Sequence, residues 1–293
     1  MNKYTLLTHR GDRGGSNFLI KMGCFIFGKI QNMDIYYEHL DNDTRQNNNK
    51  IYISPLLELT EEINNNKILN KTLVNPYAGM RGSSANVVEL LKMDIITYFN
   101  NHYKNEFYNI MKKKALDRKF ELPWKDPKKI ICIHVRLEDC AERADYDGRG
   151  SANYIKTLIE ENTFCKYDRK ISDSRSLDTQ APISSSKLER FITEFNEKYP
   201  EKEIYIITRC NDIPQWLYQL VKKYKLHISH KNNDEYDIWC MIHSDILVLS
   251  KSTYSIVAGY YHQGSQVYYP YWGTAASLGL GSKYDKSGWI GYV

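Results

Sequence analysis

The chain has 293 residues, 42% of them apolar and 26% charged, which excludes wholesale disorder and leaves room for one large domain or two moderate ones. Its 40 basic and 35 acidic residues give a formal charge of +5 without a dense Lys/Arg cluster, so nucleic acid is not an expected partner, whereas a small anionic ligand is compatible. With no apolar run of about 18 residues and no signal-peptide h-region after Met1, neither a membrane span nor secretion is expected, and the sequence reads as cytoplasmic.

Tyr4–Thr8 reads as a first strand, "HRGDRGGSN" as a glycine-rich loop, and Asn17–Ile30 as a helix with Phe18, Met22, Phe25, Ile26 and Ile30 on its apolar positions. This strand, glycine turn and helix is the opening unit of a nucleotide-binding α/β layer. Asp34–His39 follows as a second strand, Ile51–Ile53 as a short third, and Val87–Leu116 as a long helix. "ELPWKDPKK", residues 121–129, carries two prolines and five charges between a helical stretch and an apolar strand, and marks the domain boundary. The expected division is 1–125 and 126–293.

Beyond the boundary the α/β rhythm resumes. Strands are expected at Ile130–Val135, Glu203–Thr208, Leu226–Ser229, Ile246–Leu249 and Val267–Tyr269. Helices are expected at Lys187–Tyr199, Pro214–Tyr224, Asp234–His243 and Ser255–Tyr261. Residues 142–186 lack periodicity and read as a mobile insertion, with a part in acceptor binding or none. Ligands of such sheets bind outside the carboxyl ends of the strands, and His134 with Arg136 falls at one such end while His9–Gly15 falls at another.

Six cysteines, Cys24, Cys132, Cys140, Cys165, Cys210 and Cys240, form no CxxC pair or zinc-like spacing. Several lie in apolar runs, and a reducing compartment fits them. The sequons at Asn42 and Asn70 are then chance matches in an Asn-rich chain, whose Lys, Asn, Ile and Tyr content suits a microbial or viral source with AT-rich codons.

Three blocks carry the chemistry. In "IICIHVRLED", an apolar strand ends on His134, Arg136, Glu138 and Asp139. A guanidinium at that point suits a diphosphate, because it is planar, always charged and grips two oxygens. A surface ion-pair cluster is the plain alternative. In "RGDRGGSNFLIKMG", Gly14 and Gly15 permit close backbone approach, and Asn17 with the helix start offers donors to a sugar or anion. The alternative is a tight βα turn. In "DEYDIWCMIHSDILVLSKSTYSIVAGYY", Ser252, Thr253, Tyr254 and Ser255 open a helix, where hydroxyls and unpaired N–H groups form an anion cradle or simply cap the helix.

In chain order these blocks resemble the signature motifs of the α-1,2-, α-1,6- and protein O-fucosyltransferase superfamily. His-x-Arg-x-x-Asp at 134–139 is similar to its first motif, residues 10–30 to its N-terminal glycine turn, and residues 234–261 to its C-terminal signature. The resemblance implies a GT-B fold, with a 1–125 acceptor-side Rossmann-like domain and a 126–293 nucleotide-sugar-binding domain. It implies transfer of a monosaccharide, with fucose from GDP-fucose leading, onto a glycan acceptor, by inversion and with no metal or other cofactor required. Arg136 would stabilise the departing diphosphate, His134, Asp139 and Ser252–Ser255 would bind the donor, and Asp237 would contact the base. Asp12 is the first choice for general base, with His9 and Glu138 behind it, and the superfamily also has members without an obvious base. The family's Ser-Asp-Asp at the next strand end is here Thr208-Arg209-Cys210-Asn211-Asp212, with the following Trp kept as Trp216. That departure keeps another donor such as UDP-xylose open, and with it a non-catalytic sugar- or nucleotide-binding role.

Other patterns fit less well. "DYD" at 145–147 mimics the Asp-x-Asp of metal-dependent glycosyltransferases but follows "CAERA", a poor strand. "GTAASLGLGSK" lacks P-loop spacing, and "GDRGGSN" is not the G-x-G-x-x-G of a dehydrogenase, the runner-up by fold. "VYYPYWG" stacks a base or sugar, or packs a core.

Overall fold

The computed structural model describes residues 2–7, 14–37, 71–73, 95–137, 183, 185–210, 212–230, 232–270, 280 and 285–292. The chain divides into two compact units, Met1–Lys119 with Thr274–Ser287, and Phe120–Gly273 with Gly288–Val293. Both are α/β layers built on parallel sheets. The expected strand at Ile51–Ile53, nearly all of 142–186, and the "DYD" and "GTAASLGLGSK" segments apart from Leu280 lie outside the described residues.

In the first unit β1 (Asn2–Leu7) lies between β2 (Asp34–Tyr37) and β3 (Lys71–Leu73), parallel to both. α1 (Gly14–Ile30) crosses from β1 to β2. It begins three residues before the expected start, so Gly14, Gly15 and Asn17 belong to its opening turn. Gly28 lets it lie close to the sheet, since a Cβ there would stand 2.8 Å from both Ile35 Cγ1 and Thr5 Cγ2. Of the expected long helix, residues 87–94 lie outside the described residues and the rest forms two helices, α2 (Ile95–His102) and α3 (Lys104–Asp117), parted at Tyr103. Tyr103 turns the chain so that Phe25, Phe99 and Phe107 meet edge to face, at centroid separations of 5.3 and 5.4 Å for Phe25–Phe107 and Phe99–Phe107.

The second unit holds β4 (Ile130–Val135), α4 (Ser185–Lys198), β5 (Glu203–Thr208), α5 (Gln215–Tyr224), β6 (His227–Ser229), α6 (Asp234–Ile242), β7 (Ile246–Val248), α7 (Thr253–Tyr261), β8 (Gln266–Pro270) and β9 (Ile290–Tyr292). The six strands run β6-β5-β4-β7-β8-β9, all parallel. Counted within the unit, that is 3-2-1-4-5-6, the doubly wound order, in which the strand sequence reverses between β4 and β7. β9 was not expected from the sequence.

Strand parity sets the two faces. Ile131, Ile133 and Val135 join Ile204 and Ile206 in one apolar cluster with Leu188, Phe191, Ile192 and Phe195 of α4 and Leu217 and Leu220 of α5. The i, i+3, i+4, i+7 spacing of the α4 residues is what makes that helix amphipathic. The intervening residues, Cys132 and His134, face the side of α6 and α7, where His134 meets Ser250 and Tyr254. Cys24, Cys132, Cys210 and Cys240 are free thiols. Among the described residues no helix is long and apolar enough to cross a membrane.

At the amino-end edge of the sheet, the turn between α7 and β8 allows no side chain at Gly264. A Cβ there would lie 2.2 Å from Ser244 O and 2.3 Å from Asp245 O. Because both atoms are backbone, Gly264→Ala is expected to lower stability by about 2 kcal/mol. The check is a urea-unfolding midpoint, and an unchanged midpoint refutes the close packing.

Candidate functional site

β4 is buried along its whole length and delivers His134 and Arg136 to the carboxyl edge. There the chain after β7 turns into α7, so the two strand ends that flank the order reversal face each other. His134 Nδ1 lies 2.7 Å from Ser250 Oγ in a buried hydrogen bond. The imidazole ring stands 5.5 Å from the Tyr254 ring. Burial pushes the His134 pKa down to about 3, and the charge of Arg136 adds to the effect, so the ring is neutral near pH 7. Arg136 Nη1 donates to Lys251 O at 3.2 Å, which ties the guanidinium to the same turn.

Ser252 caps α7 in extended conformation, its Oγ accepting from Tyr254 N at 3.3 Å. Ser255 is fully buried. Its hydroxyl donates toward Ser252 O at 3.0 Å and Ser250 O at 3.3 Å, and accepts from Ser250 N at 3.2 Å. Ser255 therefore holds the turn from inside, and the surface left for an anion is the amino end of α7 with its partial positive charge. The Tyr254 hydroxyl donates to the backbone oxygen of Asp234 and joins α7 to the start of α6.

A second polar group gathers at the ends of β5 and β6. Asp237, in the first turn of α6, is only 4% exposed. Its Oδ1 accepts from Ser229 Oγ at 3.3 Å and Asn232 Nδ2 at 3.4 Å. Burial pushes Asp237 up to about 7; those two donors and Arg209 pull the other way without cancelling it. Asn233 caps α6, accepting from Tyr236 N at 2.7 Å. Arg209, one residue past β5, forms an ion pair with Asp234. Asp212 is exposed and Trp216 packs against the apolar cluster.

His134, Arg136 and Ser252–Ser255 thus come together, and Asp237 lies on the same edge two strands away. Asp12, Glu138, Asp139 and His9 lie outside the described residues, and Gly14, Gly15 and Asn17 belong to the other unit. Sequence reasoning missed Ser250, Ser229, Asn232 and the Arg209–Asp234 pair. The available signal was that Ser250 and Ser229 each close an apolar strand run ahead of a helix cap. Among the described residues no group of three or more His, Cys, Asp or Glu is placed to hold a metal ion.

No family model matches the chain, and no curated protein matches it. Among solved structures it is similar to POFUT1 in complex with GDP, at 11% identity and TM-score 0.44, covering 91% of this chain and 97% of that one. It is also similar to POFUT1 in complex with GDP-fucose, at 9% identity and TM-score 0.46, covering 99% and 98%. For the apo form the values are 10%, 0.44, 90% and 96%. Superposition this loose assigns no residue of this chain a role.

Asp237 supplies a signed test. An acid that binds its proton more tightly folded than unfolded loses stability as pH rises, here from about 4, where the unfolded carboxyl ionises, to about 7. Asp237→Asn keeps an acceptor for Ser229 and Asn232 and removes the charge. It is expected to raise the unfolding midpoint at pH 8 and to change it little at pH 4. An equal shift at both values would mean that the buried carboxyl carries no ionisation penalty.

Proposed function

We propose that the chain is a glycosyltransferase of GT-B type that moves a monosaccharide from a nucleotide diphosphate donor to a glycan acceptor, with GDP-fucose the leading donor. The observation that carries this reading is the meeting of His134 and Arg136 with the capped start of α7 where the strand order reverses. That is the place where doubly wound sheets take phosphate-bearing ligands. The motif resemblance supplies the reaction class.

The chemistry follows from the residues. An acceptor hydroxyl attacks the anomeric carbon from the face opposite the diphosphate, the C–O bond to the diphosphate breaks with its electron pair, and the configuration inverts. Negative charge grows on the leaving group as that bond stretches. Arg136 and the amino end of α7 are preorganised to meet it, because the guanidinium is already fixed to Lys251 O and the turn is held by Ser255. His134 stays neutral and contributes by holding Ser250 rather than by adding charge. No metal is needed for that stabilisation. The acceptor proton passes to a general base, with Asp12 the first choice. Asp237, walled by Ser229 and Asn232, suits a base edge made of N–H donors, and guanine N1–H with its amino group donates to a carboxylate in that way. The loss of the family's paired acids at 208–212 leaves UDP-xylose as the second donor.

Calorimetric titration with GDP and UDP, with and without EDTA, tests this directly. GDP binding that EDTA leaves intact is the expected result. Preference for UDP moves the donor, and binding of neither nucleotide removes the enzyme reading. Arg136→Ala is expected to weaken nucleotide binding by about tenfold to a hundredfold, the range for losing a charge-assisted hydrogen bond. It should also depress transfer from a donor panel further still, and turnover surviving within a few-fold refutes the assigned role.

A further inference from the structure

The carboxyl edge of the second sheet carries a continuous polar strip on the α6/α7 side. In sheet order it reads Ser229 at the end of β6 with Asn232 beyond it, Arg209 beyond β5, His134 and Arg136 at β4, and Ser250 with Ser252 beyond β7. Register fixes the neighbours: Val135 pairs with Thr208, so Arg136 and Arg209 are the next residues on adjacent strands. Three inter-strand steps of about 4.8 Å make a strip of about 14 Å, which is of nucleoside diphosphate length.

A nucleotide is covalently ordered as base, ribose, diphosphate. With the base at Asp237 near β6 and the diphosphate at Arg136 and α7, its ribose falls over β5. What stands there is the Arg209–Asp234 ion pair. Asp234 is anchored by its backbone and by its side chain. Its backbone oxygen accepts from the Tyr254 hydroxyl, its neighbour Asn233 caps α6, and its carboxylate is gripped by Arg209. The carboxylate nevertheless remains 40% exposed. An exposed ion pair adds little to stability, so stability does not account for this one, and the exposed side of the carboxylate can take a further donor. An ionised carboxylate is acceptor-only with about four lone-pair sites, and a ribose presents vicinal O–H donors.

We propose that the Asp234 carboxylate is the ribose-binding group of this site and that Arg209 is its positioning residue, so that the protein selects ribonucleoside over 2′-deoxyribonucleoside diphosphates. The inference rests on the nucleotide-binding reading above and adds the sugar of the nucleotide to it. It also gives a use to Arg209, which stands where the resembled family carries an acid. An acid at the end of the second strand of a doubly wound sheet is a common ribose ligand. Here the acid reaches that place from the neighbouring helix, and the strand supplies the cation that aims it.

The experiment is paired titration of the full chain with GDP and 2′-deoxy-GDP, and with UDP and 2′-deoxy-UDP, scored on whichever base binds more tightly. The wild-type chain is expected to favour the ribo form by about tenfold, the scale of one hydrogen bond to a charged acceptor. In Asp234→Asn and in Arg209→Gln the ratio should fall to within about twofold, mainly through weaker ribonucleotide binding. Thermal unfolding of each variant reports on folding, and the conservative Arg209→Lys variant should restore part of the ratio. Equal wild-type affinity for the ribo and deoxy forms overturns the ribose assignment while leaving nucleotide binding intact. Arg209→Gln that weakens both forms equally also overturns it and moves Arg209 to the phosphates. Failure of the wild-type chain to bind any of the four takes away the nucleotide reading itself and this inference with it.

Discussion

The buried hydrogen bond between His134 and Ser250 is the constraint on which the site turns. β4 and β7 are adjacent strands whose next described helices, α4 and α7, pack on opposite faces of the sheet, so nothing in the ladder between them holds their ends together past Ile133 and Val248. A 2.7 Å contact between two buried polar groups closes that gap. It satisfies Nδ1 of an imidazole that would otherwise be buried with an unmet polar atom, a penalty of about 1–3 kcal/mol. With Ser250 fixed, Ser255 can return its hydroxyl to the Ser250 backbone, and Arg136 can reach Lys251 O. One contact thereby orients the capped helix start and the guanidinium together.

The two edges of this sheet are built to different ends. At the amino edge, Lys202 bridges to Asp245 at 2.8 Å and to the Lys128 carbonyl. Burial acts to raise the Asp245 carboxyl, yet Lys202 and Ser265 outweigh it and hold that carboxyl below its usual range. Its ionised form therefore adds stability. At the carboxyl edge the balance is opposite: Asp237 is pushed up and His134 down, each by burial, so each buried group opposes folding in its own pH range. Buried titratable groups displaced in this way cluster at ligand sites, and structural networks displace them too; the proposed nucleotide is in keeping with the first case.

Much of this was legible in the chain. The bounds of β4 and β5 match the expected ranges because both strands are apolar runs ended by polar residues, and burial on both faces demands such runs. The start of α6 matches the expected Asp234, while α7 starts at Thr253, two residues before the expected Ser255, with Ser252, one of the caps the sequence offered, satisfying an orphan N–H group. The three-residue strands β3 and β9 were not, since "KTL" and "IGY" are too short to display a period, and their pairing is supplied by β1 and β8. The break between α2 and α3 was hidden because Tyr103 is compatible with a helix and is displaced by the aromatic packing around Phe25. At the site, Ser229 and Asn232 carried no motif, because their role arises from a helix that begins after them and returns Asp237 to their side.

Parity explains why a site and a core can share one strand. Along β4, alternate residues enter the apolar cluster beneath α4 and α5, while Cys132 and His134 face α6 and α7. A register slip of one residue would drive His134 among Ile192 and Leu217 and expose Ile133 to the polar strip, so the apolar face enforces the placement of the polar one. The same alternation on β5 sends Thr208 toward the core side and leaves Arg209 to the strip, where it meets Asp234. Selection at such an edge acts on the residues just past the last ladder bond, where side-chain direction is inherited from the strand but the chemistry is unconstrained by packing. A substitution at that point costs the fold little and alters what the edge can hold. In this chain Arg209 stands at that point, directly after Thr208, while Ile204 and Ile206, which set the register, lie buried behind it.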